Sequence, residues 1–288
     1  MGRLGNQLFQ IASTIGIATD NNIPYKFKEW SYQEYFQKKL PVFNPDFTSA
    51  PERVEEREMF RYHKYKLCNY KDYYTYGYFQ SYKYFREHSL DYFEPTEMIL
   101  TTLESYRPYL EDSCALHVRR TDYLETNNFL ELTRSYYIKA LKSLELSDDT
   151  NIFVFSDDIP FCKEWLSKSL KNYKNVIFVE NSDLYESDEQ SVRELILMSM
   201  CKNIIIANST FSWWAAYLNK RNSKIVSPKN WFSNIDVYDL LPEHWIKINN
   251  RKWPKKVYKL VHHKYTEEHK TSIRKRMRKL SSISYQKS

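Results

Sequence analysis

Two adjacent arginines, with an imidazole and a carboxylate beside them, are the residues best suited to chemistry in this sequence. They stand in the segment 117–122 (His-Val-Arg-Arg-Thr-Asp), which overlaps the end of the apolar run 114–118. Guanidinium groups bind phosphate oxygens through two hydrogen bonds at once and stay charged at any working pH. The segment therefore predicts a site for a multiply charged anion, with a pair of exposed loop arginines as the alternative.

A second polar cluster is the Asn-Ser-Thr triplet at 208–210, between the apolar run 204–207 and a predicted helix that begins at Phe211. Ser and Thr at such a position commonly cap the helix. The same position can bind phosphate, because the first backbone N–H groups of a helix are free. Both interpretations stay open. The triplet also matches an N-glycosylation sequon, but a turn at a strand end before two tryptophans is a poor acceptor.

A third cluster, Ser-Asp-Asp at 156–158, follows the apolar run 152–156. Its paired carboxylates could chelate Mg²⁺, as carboxylates beside a nucleotide diphosphate often do. They could also accept hydrogen bonds from the ring N–H of a base, or cap the helix that Pro160 indicates. Metal is the least favoured alternative, since Arg119 and Arg120 already supply the positive charge that a diphosphate needs.

Half of the four glycines stand in the opening segment 2–7 (Gly-Arg-Leu-Gly-Asn-Gln), before a helix with apolar residues at helical spacing. This predicts a tight turn whose backbone is in close contact with something else. The segment is not Gly-x-Gly-x-x-Gly, and no acidic residue follows in a strand about 20 positions later. No Walker A motif occurs in the sequence. Dehydrogenases and P-loop NTPases are thereby excluded.

Alternating strands and helices must position these clusters from residue 113 onward. Continuously apolar, β-branched strands favour a parallel sheet covered on both faces, and ligands bind outside the carboxyl ends of such strands. The predicted strands are 114–118, 152–156, 176–179, 204–207 and 225–226, and the predicted helices 135–144, 160–170, 187–200 and 211–218. Residues 25–110 are Tyr-rich and weakly periodic, so short strands and helices are expected there. We divide the chain into an N-terminal domain (1–110), a Rossmann-like domain (111–248) and a tail (249–288).

The charge is unevenly distributed along the 288 residues, whose formal net charge is +7. The tail carries 13 Lys and Arg against two Glu, so the preceding 248 residues have a balance of −4. The tail suits an anionic membrane surface or a solvated end, and nucleic acid is disfavoured because no nucleic-acid-binding motif occurs. No signal peptide and no apolar run near the ~18 residues of a membrane span are found. Four widely spaced cysteines favour a reducing compartment, so we expect a cytoplasmic protein.

Taken together, these motifs resemble glycosyltransferase family 11, the α-1,2-fucosyltransferases. Six motifs occur in order between residues 2 and about 245, namely 2–10, 77–85, 117–123, 155–158, 201–216, and Pro228 with Trp231. The resemblance implies a GT-B-like α/β fold with two Rossmann-like domains and parallel sheets, the C-terminal one better defined. It also implies inverting, metal-independent transfer of L-fucose from GDP-β-L-fucose to a glycan acceptor without a cofactor, commonly to O-2 of a galactoside.

The resemblance assigns roles to the clusters. Arg119, together with Arg120, would hold the β-phosphate, while His117 and Asp157 would lie near the guanine. Ser209, Thr210 and the backbone at Phe211 would bind the diphosphate, and Gly5 and Asn6 would face the reacting end. Arginine at the leaving phosphate stabilises the charge that develops there, as a metal would. Asp122 and Glu125 are candidates for a base, and Asn6 could orient the acceptor. Transfer of another GDP-linked sugar, and GDP-sugar binding without turnover, stay open.

Overall fold

A computed structural model of the chain describes residues 2–43, 50–120, 130–180, 187–232 and 235–250. Met1–Asn250 form one compact unit, to which all the described residues belong. Beyond Asn250, the basic tail lies outside the described residues, as do the candidate bases Asp122 and Glu125. The division near residue 110 stays a prediction.

A six-stranded parallel sheet, in the order β5-β4-β3-β6-β7-β8, organises the second half of the unit. Its strands are β3 (Ser113–Val118), β4 (Asn151–Ser156), β5 (Val176–Phe178), β6 (Asn203–Ile205), β7 (Ile225–Pro228) and β8 (Ile246–Ile248). The five predicted strands are confirmed, and the α/β fold class with parallel sheets is confirmed with them. The edge strand β8 was not predicted, because it has only three residues, with Lys247 between two isoleucines, and so short an alternation gives almost no periodic signal.

Helices cover both faces of this sheet. They are α4 (Arg134–Leu144), α5 (Ile159–Leu170), α6 (Asp188–Met200) and α7 (Thr210–Tyr217). Alternate residues of a strand point to opposite faces, so Leu116 packs in the apolar cluster of α4 and α5, whereas Ala115 packs in the cluster of α6 and α7. The doubly wound arrangement brings the carboxyl ends of β3, β4 and β6 to one edge.

The first half of the unit has little sheet among its described residues. It contains α1 (Leu4–Asp20), a two-stranded parallel sheet of β1 (Glu52–Glu55) and β2 (Tyr73–Tyr76), and the short helices α2 (Glu87–Leu90) and α3 (Glu97–Thr102). In the described part of this half, four 3₁₀ segments connect them, at Ser31–Tyr35, Tyr82–Tyr84, Asp91–Phe93 and Glu104–Tyr109. Aromatic contacts supply much of the packing here, as where Trp30 stacks on Phe36 at 5.2 Å between ring centroids.

Helix α1 joins the two halves. Its Phe9 is fully buried and lies 4.5 Å from Trp213 and 5.2 Å from Trp214, centroid to centroid. Trp213 is fixed in turn by its indole N–H, which donates to the Leu240 carbonyl oxygen at 2.8 Å. These contacts hold the N-terminus of α1 beside the N-terminus of α7. Among the described residues, no helix has both the length and the apolar character that a membrane crossing requires.

Candidate active site

A cavity of about 750 Å³ lies at the carboxyl ends of β3, β4 and β6. We call its side formed by this sheet and the start of α7 the sheet wall; it comprises His117, Arg119, Ser156, Asp157 and residues 208–211. The opposite side, formed by the start of α1 and the turn after β2, is the turn wall; it comprises residues 2–6, Tyr78 and Gln80. The structure thus gathers six of the sequence-predicted site residues, together with Gly5 and Asn6, around one volume.

Arg119 is the cation of the sheet wall. It follows directly after β3, and its side chain is 14% exposed. One guanidinium nitrogen, Nη1, lies 3.3 Å from Oδ2 of Asp157, which follows the neighbouring strand β4. Asp157 also accepts a hydrogen bond from the Arg120 backbone N–H at 3.0 Å. Because two strand ends share these contacts, the guanidinium is held in place at the cavity before any anion arrives.

Arg120 is placed differently from its neighbour. Its Nε lies 3.2 Å from Oδ2 of Asp158, and its Cζ lies 3.3 Å from the centroid of the Phe161 ring. The side chain faces a separate, smaller pocket beside Trp165 and does not line the main cavity. Asp158 caps α5, since its Oδ1 accepts from the Phe161 N–H at 3.1 Å. Arg119 lines both pockets, whereas Arg120 lines the smaller one, and the predicted role of Arg120 stays a prediction.

His117 forms a neutral part of the sheet wall. Its side chain is buried, and its Nδ1 has no hydrogen-bond partner among the described residues. Burial, assisted by the charge of Arg119 and opposed by that of Asp157, lowers the pKa of His117 to about 3. The ring lies 5.8 Å from that of Phe211. His117 is consequently an uncharged aromatic surface near neutral pH.

Two helix N-termini converge beside Arg119. Helix α7 begins at Thr210 with Ser209 as its N-cap, and Ser209 makes no capping hydrogen bond with its side chain. Helix α1 approaches so closely that a Cβ at Gly5 would lie 2.6 Å from the Thr210 carbonyl carbon and 2.7 Å from the Phe211 nitrogen. Helix N-termini present free N–H groups and partial positive charge. Together with Arg119 they form an environment suited to a diphosphate.

The turn wall contributes amide groups. The Gln80 side chain is 7% exposed, and its Nε2 donates to Oδ1 of Asn6 at 2.9 Å. Asn6 lies in the first turn of α1, opposite the sheet wall. Asp122, a candidate for the base that deprotonates the acceptor hydroxyl, lies outside the described residues, so its role stays a prediction.

Several lining residues were not predicted from the sequence. Gln80 and Tyr78 were quoted within a motif but given no role, while Gln190 and Glu194 were overlooked on α6. Gln190 Nε2 donates to Glu194 Oε1 at 3.0 Å. Their signal was a polar pair at i and i+4 on a helix whose other face is apolar. Such a pair is common on exposed helix surfaces, so it does not by itself indicate a binding site.

No group of three or more His, Cys, Asp or Glu side chains able to hold a metal occurs in the part of the chain that the structure describes. Of the two carboxylates considered for Mg²⁺, Asp157 contacts Arg119 and Asp158 contacts Arg120. Both carboxylates are therefore engaged by cations of the protein. Metal independence stays a prediction.

A parallel sheet with an anion-binding environment at its carboxyl ends is typical of proteins that bind nucleotides. The model of the family described as glycosyl transferase family 11 matches residues 1–249. The chain belongs to this family, and the protein is a glycosyltransferase. It is similar to an α-1,2-colitosyltransferase of Escherichia coli, at 31% identity over 86% of this chain and 96% of that protein. It is also similar to a galactoside 2-α-L-fucosyltransferase of Caenorhabditis elegans, at 24% identity over 77% and 68% of the two chains.

Solved structures also match the chain. The fucosyltransferase NodZ from Bradyrhizobium matches at 14% identity over 74% of this chain and 89% of that chain, with a TM-score of 0.48. A NodZ α-1,6-fucosyltransferase soaked with GDP-fucose matches at 13% identity over 81% and 95%, with a TM-score of 0.49.

Proposed function

We propose that this glycosyltransferase transfers L-fucose from GDP-β-L-fucose to a sugar hydroxyl, with O-2 of a galactoside as the favoured acceptor. The transfer inverts the configuration of the anomeric carbon and needs no metal. The observation that carries the proposal is Arg119 beside the converging N-termini of α1 and α7 in one large cavity. Family membership and the similarity to a galactoside 2-α-L-fucosyltransferase support the choice of sugar and acceptor.

The diphosphate of the donor would lie between Arg119 and the N–H groups at Thr210 and Phe211. The guanine would lie towards His117, whose neutral ring offers an apolar surface. A carboxylate suits the guanine edge because N1–H and the 2-amino group are both donors. Asp157 was expected to serve there, but it already contacts Arg119 and the Arg120 backbone. Glu194 lines the same cavity, where its Oε1 accepts from Gln190, and is a second candidate for this contact.

Breaking the bond between fucose and phosphate leaves negative charge on GDP and positive charge on the sugar ring. Arg119 and the two helix N-termini would stabilise the departing diphosphate, and such contacts strengthen as the charge develops. The acceptor hydroxyl would approach from the turn wall, where Asn6 and Gln80 present amide groups. Attack on the face opposite the phosphate inverts the anomeric carbon, and the proton of the acceptor hydroxyl would pass to a general base, for which Asp122 and Glu125 are the candidates.

The test is an acceptor panel. Purified protein with GDP-fucose and a series of galactosides should release GDP and yield a product whose linkage analysis shows α-1,2-fucose. The proposal fails if no acceptor retains fucose and no GDP is released. GDP binding measured by calorimetry without any product would instead support a binding protein without turnover.

A second candidate is transfer of colitose, the 3-deoxy analogue of L-fucose. The 31% identity with the α-1,2-colitosyltransferase favours it. Equal concentrations of the GDP-linked forms of fucose and colitose in one assay would separate the two, and preferential use of the colitose donor would overturn the fucose assignment. The cytoplasmic location and the membrane contact of the basic tail stay predictions. Deleting the residues after Asn250 and measuring binding to anionic vesicles tests the latter.

A further inference from the structure

We propose that Glu56, which lies outside the cavity, is the positioning residue that fixes the Gln80–Asn6 amide pair for transfer. The inference rests on the proposed function for its catalytic meaning. Its structural basis is the turn 77–80, which connects β2 to the 3₁₀ segment at Tyr82–Tyr84 and carries Gln80 to the turn wall.

The Glu56 carboxylate binds the backbone of this turn. Its Oε2 accepts from the Tyr78 N–H at 2.9 Å. Burial raises the pKa of the Glu56 carboxyl above its usual value, and the nearby backbone N–H groups of the turn oppose that rise. Glu56 itself is held by its own backbone N–H, which donates to the Tyr76 carbonyl oxygen at 3.0 Å. The Glu56 side chain thus holds the backbone of the turn at Tyr78.

Side chains of helix α1 bind the carbonyl groups of the same turn. Ser13 Oγ donates to the Phe79 carbonyl oxygen at 2.9 Å, and Gln10 Nε2 donates to that of Gly77 at 3.2 Å. The turn needs such support because Phe79 has a φ of 50°, a conformation that a bulky residue seldom adopts. Gly77 has a φ of 143°, and a Cβ there would lie 2.4 Å from that of Glu56.

The fixed turn determines what Asn6 can offer to a substrate. Because Gln80 donates to Oδ1 of Asn6, the Asn6 amide is held in one orientation, with its Nδ2 donor and the second lone pair of Oδ1 left for a ligand. Asn6 would therefore orient a hydroxyl of the donor or acceptor, and as a neutral amide it would not serve as the base. A shift of about 1 Å in such a group can reduce the rate of transfer ~10²-fold. Glu56 controls this position without touching the substrate.

The test is Glu56→Gln, which keeps the shape of the side chain and removes its charge. We expect kcat for transfer to fall ~10–10²-fold while the Kd for GDP stays within about 2-fold, because GDP binds the sheet wall. The matched control is Glu55→Gln, since Glu55 is the exposed neighbour that pairs with Arg53 at 2.7 Å. The control should transfer at the wild-type rate.

A double-mutant cycle separates positioning from a general structural role. If Glu56 acts through the amide pair, Glu56→Gln should lower kcat by less than about 2-fold in an Asn6→Ala background. Hydrogen exchange gives a readout that does not need activity: the amides of residues 78–80 should exchange faster in Glu56→Gln and unchanged in Glu55→Gln.

Each outcome decides one question. Additive losses in the cycle, or wild-type kcat in Glu56→Gln, would overturn the positioning role, and unchanged exchange at residues 78–80 would overturn the clamp itself. Absence of transfer by the wild-type protein would overturn the proposed function instead, because faster exchange in Glu56→Gln would still establish that Glu56 holds the turn.

Discussion

The two walls of the cavity are built by different means. The sheet wall places Arg119 and Asp157 at the ends of adjacent parallel strands, so the backbone ladder between β3 and β4 sets their separation. The turn wall places Gln80 on a turn that side chains hold, because Glu56 accepts from the Tyr78 N–H and Ser13 donates to the Phe79 carbonyl oxygen. The first wall depends on regular secondary structure, whereas the second depends on individual side chains.

The two walls are therefore suited to different tasks in binding and catalysis. A wall fixed by a six-stranded ladder suits the strongest and most constant demand, the charge of the diphosphate. A wall fixed by separate hydrogen bonds can orient smaller, neutral groups, because each contact adjusts one donor or acceptor. Changes to the sheet wall should therefore affect donor binding and catalysis together, while changes to the turn wall should affect orientation more than affinity.

The largest effect should come from Arg119→Ala. Removing the cation that stabilises the departing diphosphate should lower kcat for transfer ~10²–10³-fold and weaken GDP binding. Initial-rate kinetics and calorimetry with GDP measure the two losses.

Arg120→Ala is the matched control, because its guanidinium contacts Asp158 and the Phe161 ring outside the cavity. We expect its kcat to stay within about 10-fold of the wild-type value, well short of the loss of an oriented catalytic charge. Equal losses in the two variants would show that both arginines bind the donor, and unchanged activity in Arg119→Ala would remove that residue from the mechanism.

Gly5→Ala should weaken the contact between the walls. The added Cβ would meet the backbone of α7 at 2.6 to 2.8 Å, so α1 must move away, at a cost of about 3 kcal/mol in the free energy of unfolding. GDP affinity should fall as well, because the two helix N-termini separate. Urea unfolding and calorimetry report the two quantities.

Gly16→Ala is the comparison on the same helix. Its Cβ would lie 1.8 Å from the Tyr84 carbonyl oxygen, far from the sheet wall, so it should destabilise the fold while the folded fraction binds GDP normally. Loss of GDP affinity in both variants would mean that overall stability, and not the approach of α1 to α7, governs binding.

The sheet wall could be predicted from the sequence for a physical reason. Residues 114–118 are apolar apart from His117 because both faces of β3 are covered, and Arg119 follows at the strand end where ligands bind. What the pattern could not provide is the side-chain direction of Arg120. Whether an arginine faces the cavity or stacks on Phe161 depends on a contact 41 positions away in the chain.

The turn wall was much harder to predict. The glycines at 2 and 5 indicated close backbone contact, and Gly5 does pack against the backbone of α7. The role of Glu56 left no local signal, since its partner is a backbone N–H group 22 residues later. Tyr-rich segments held by ring contacts and single hydrogen bonds lack the periodicity on which sequence interpretation depends.

The buried His117 makes the stability of the fold depend on pH, and His117→Leu should remove this dependence. The folded pKa, about 3, is lower than the ordinary value near 6.5, so only the unfolded chain takes up this proton as the pH falls below 6.5. Stability is therefore complete above about pH 6.5 and is lost as the pH drops towards 3, by about 2 kcal/mol between pH 7 and pH 5. Urea unfolding at pH 7 and pH 5 measures the loss of stability between them, which should be smaller by about 2 kcal/mol in the variant than in the wild-type protein. Equal losses in the two proteins would contradict a buried neutral imidazole.

The smallest expected effect is on stability, and it compares an ion pair within the first half with one within the second half, both away from the cavity. In the first half, the Arg86 guanidinium donates to Asp20 at 2.8 Å through Nε and to the Phe85 carbonyl oxygen at 2.8 Å through Nη1, which ties the end of α1 to the segment before α2. In the second half, Lys174 pairs with Asp149, and both side chains are about 70% exposed. Arg86→Ala should therefore cost about 1 kcal/mol or more in the free energy of unfolding, because carbonyl and carboxylate groups lose a charged donor. Lys174→Ala should cost less than about 0.5 kcal/mol, as exposed pairs usually do. Urea denaturation of the two variants under one salt condition measures both, and similar losses would mean that the first half does not depend on individual side chains more than the second.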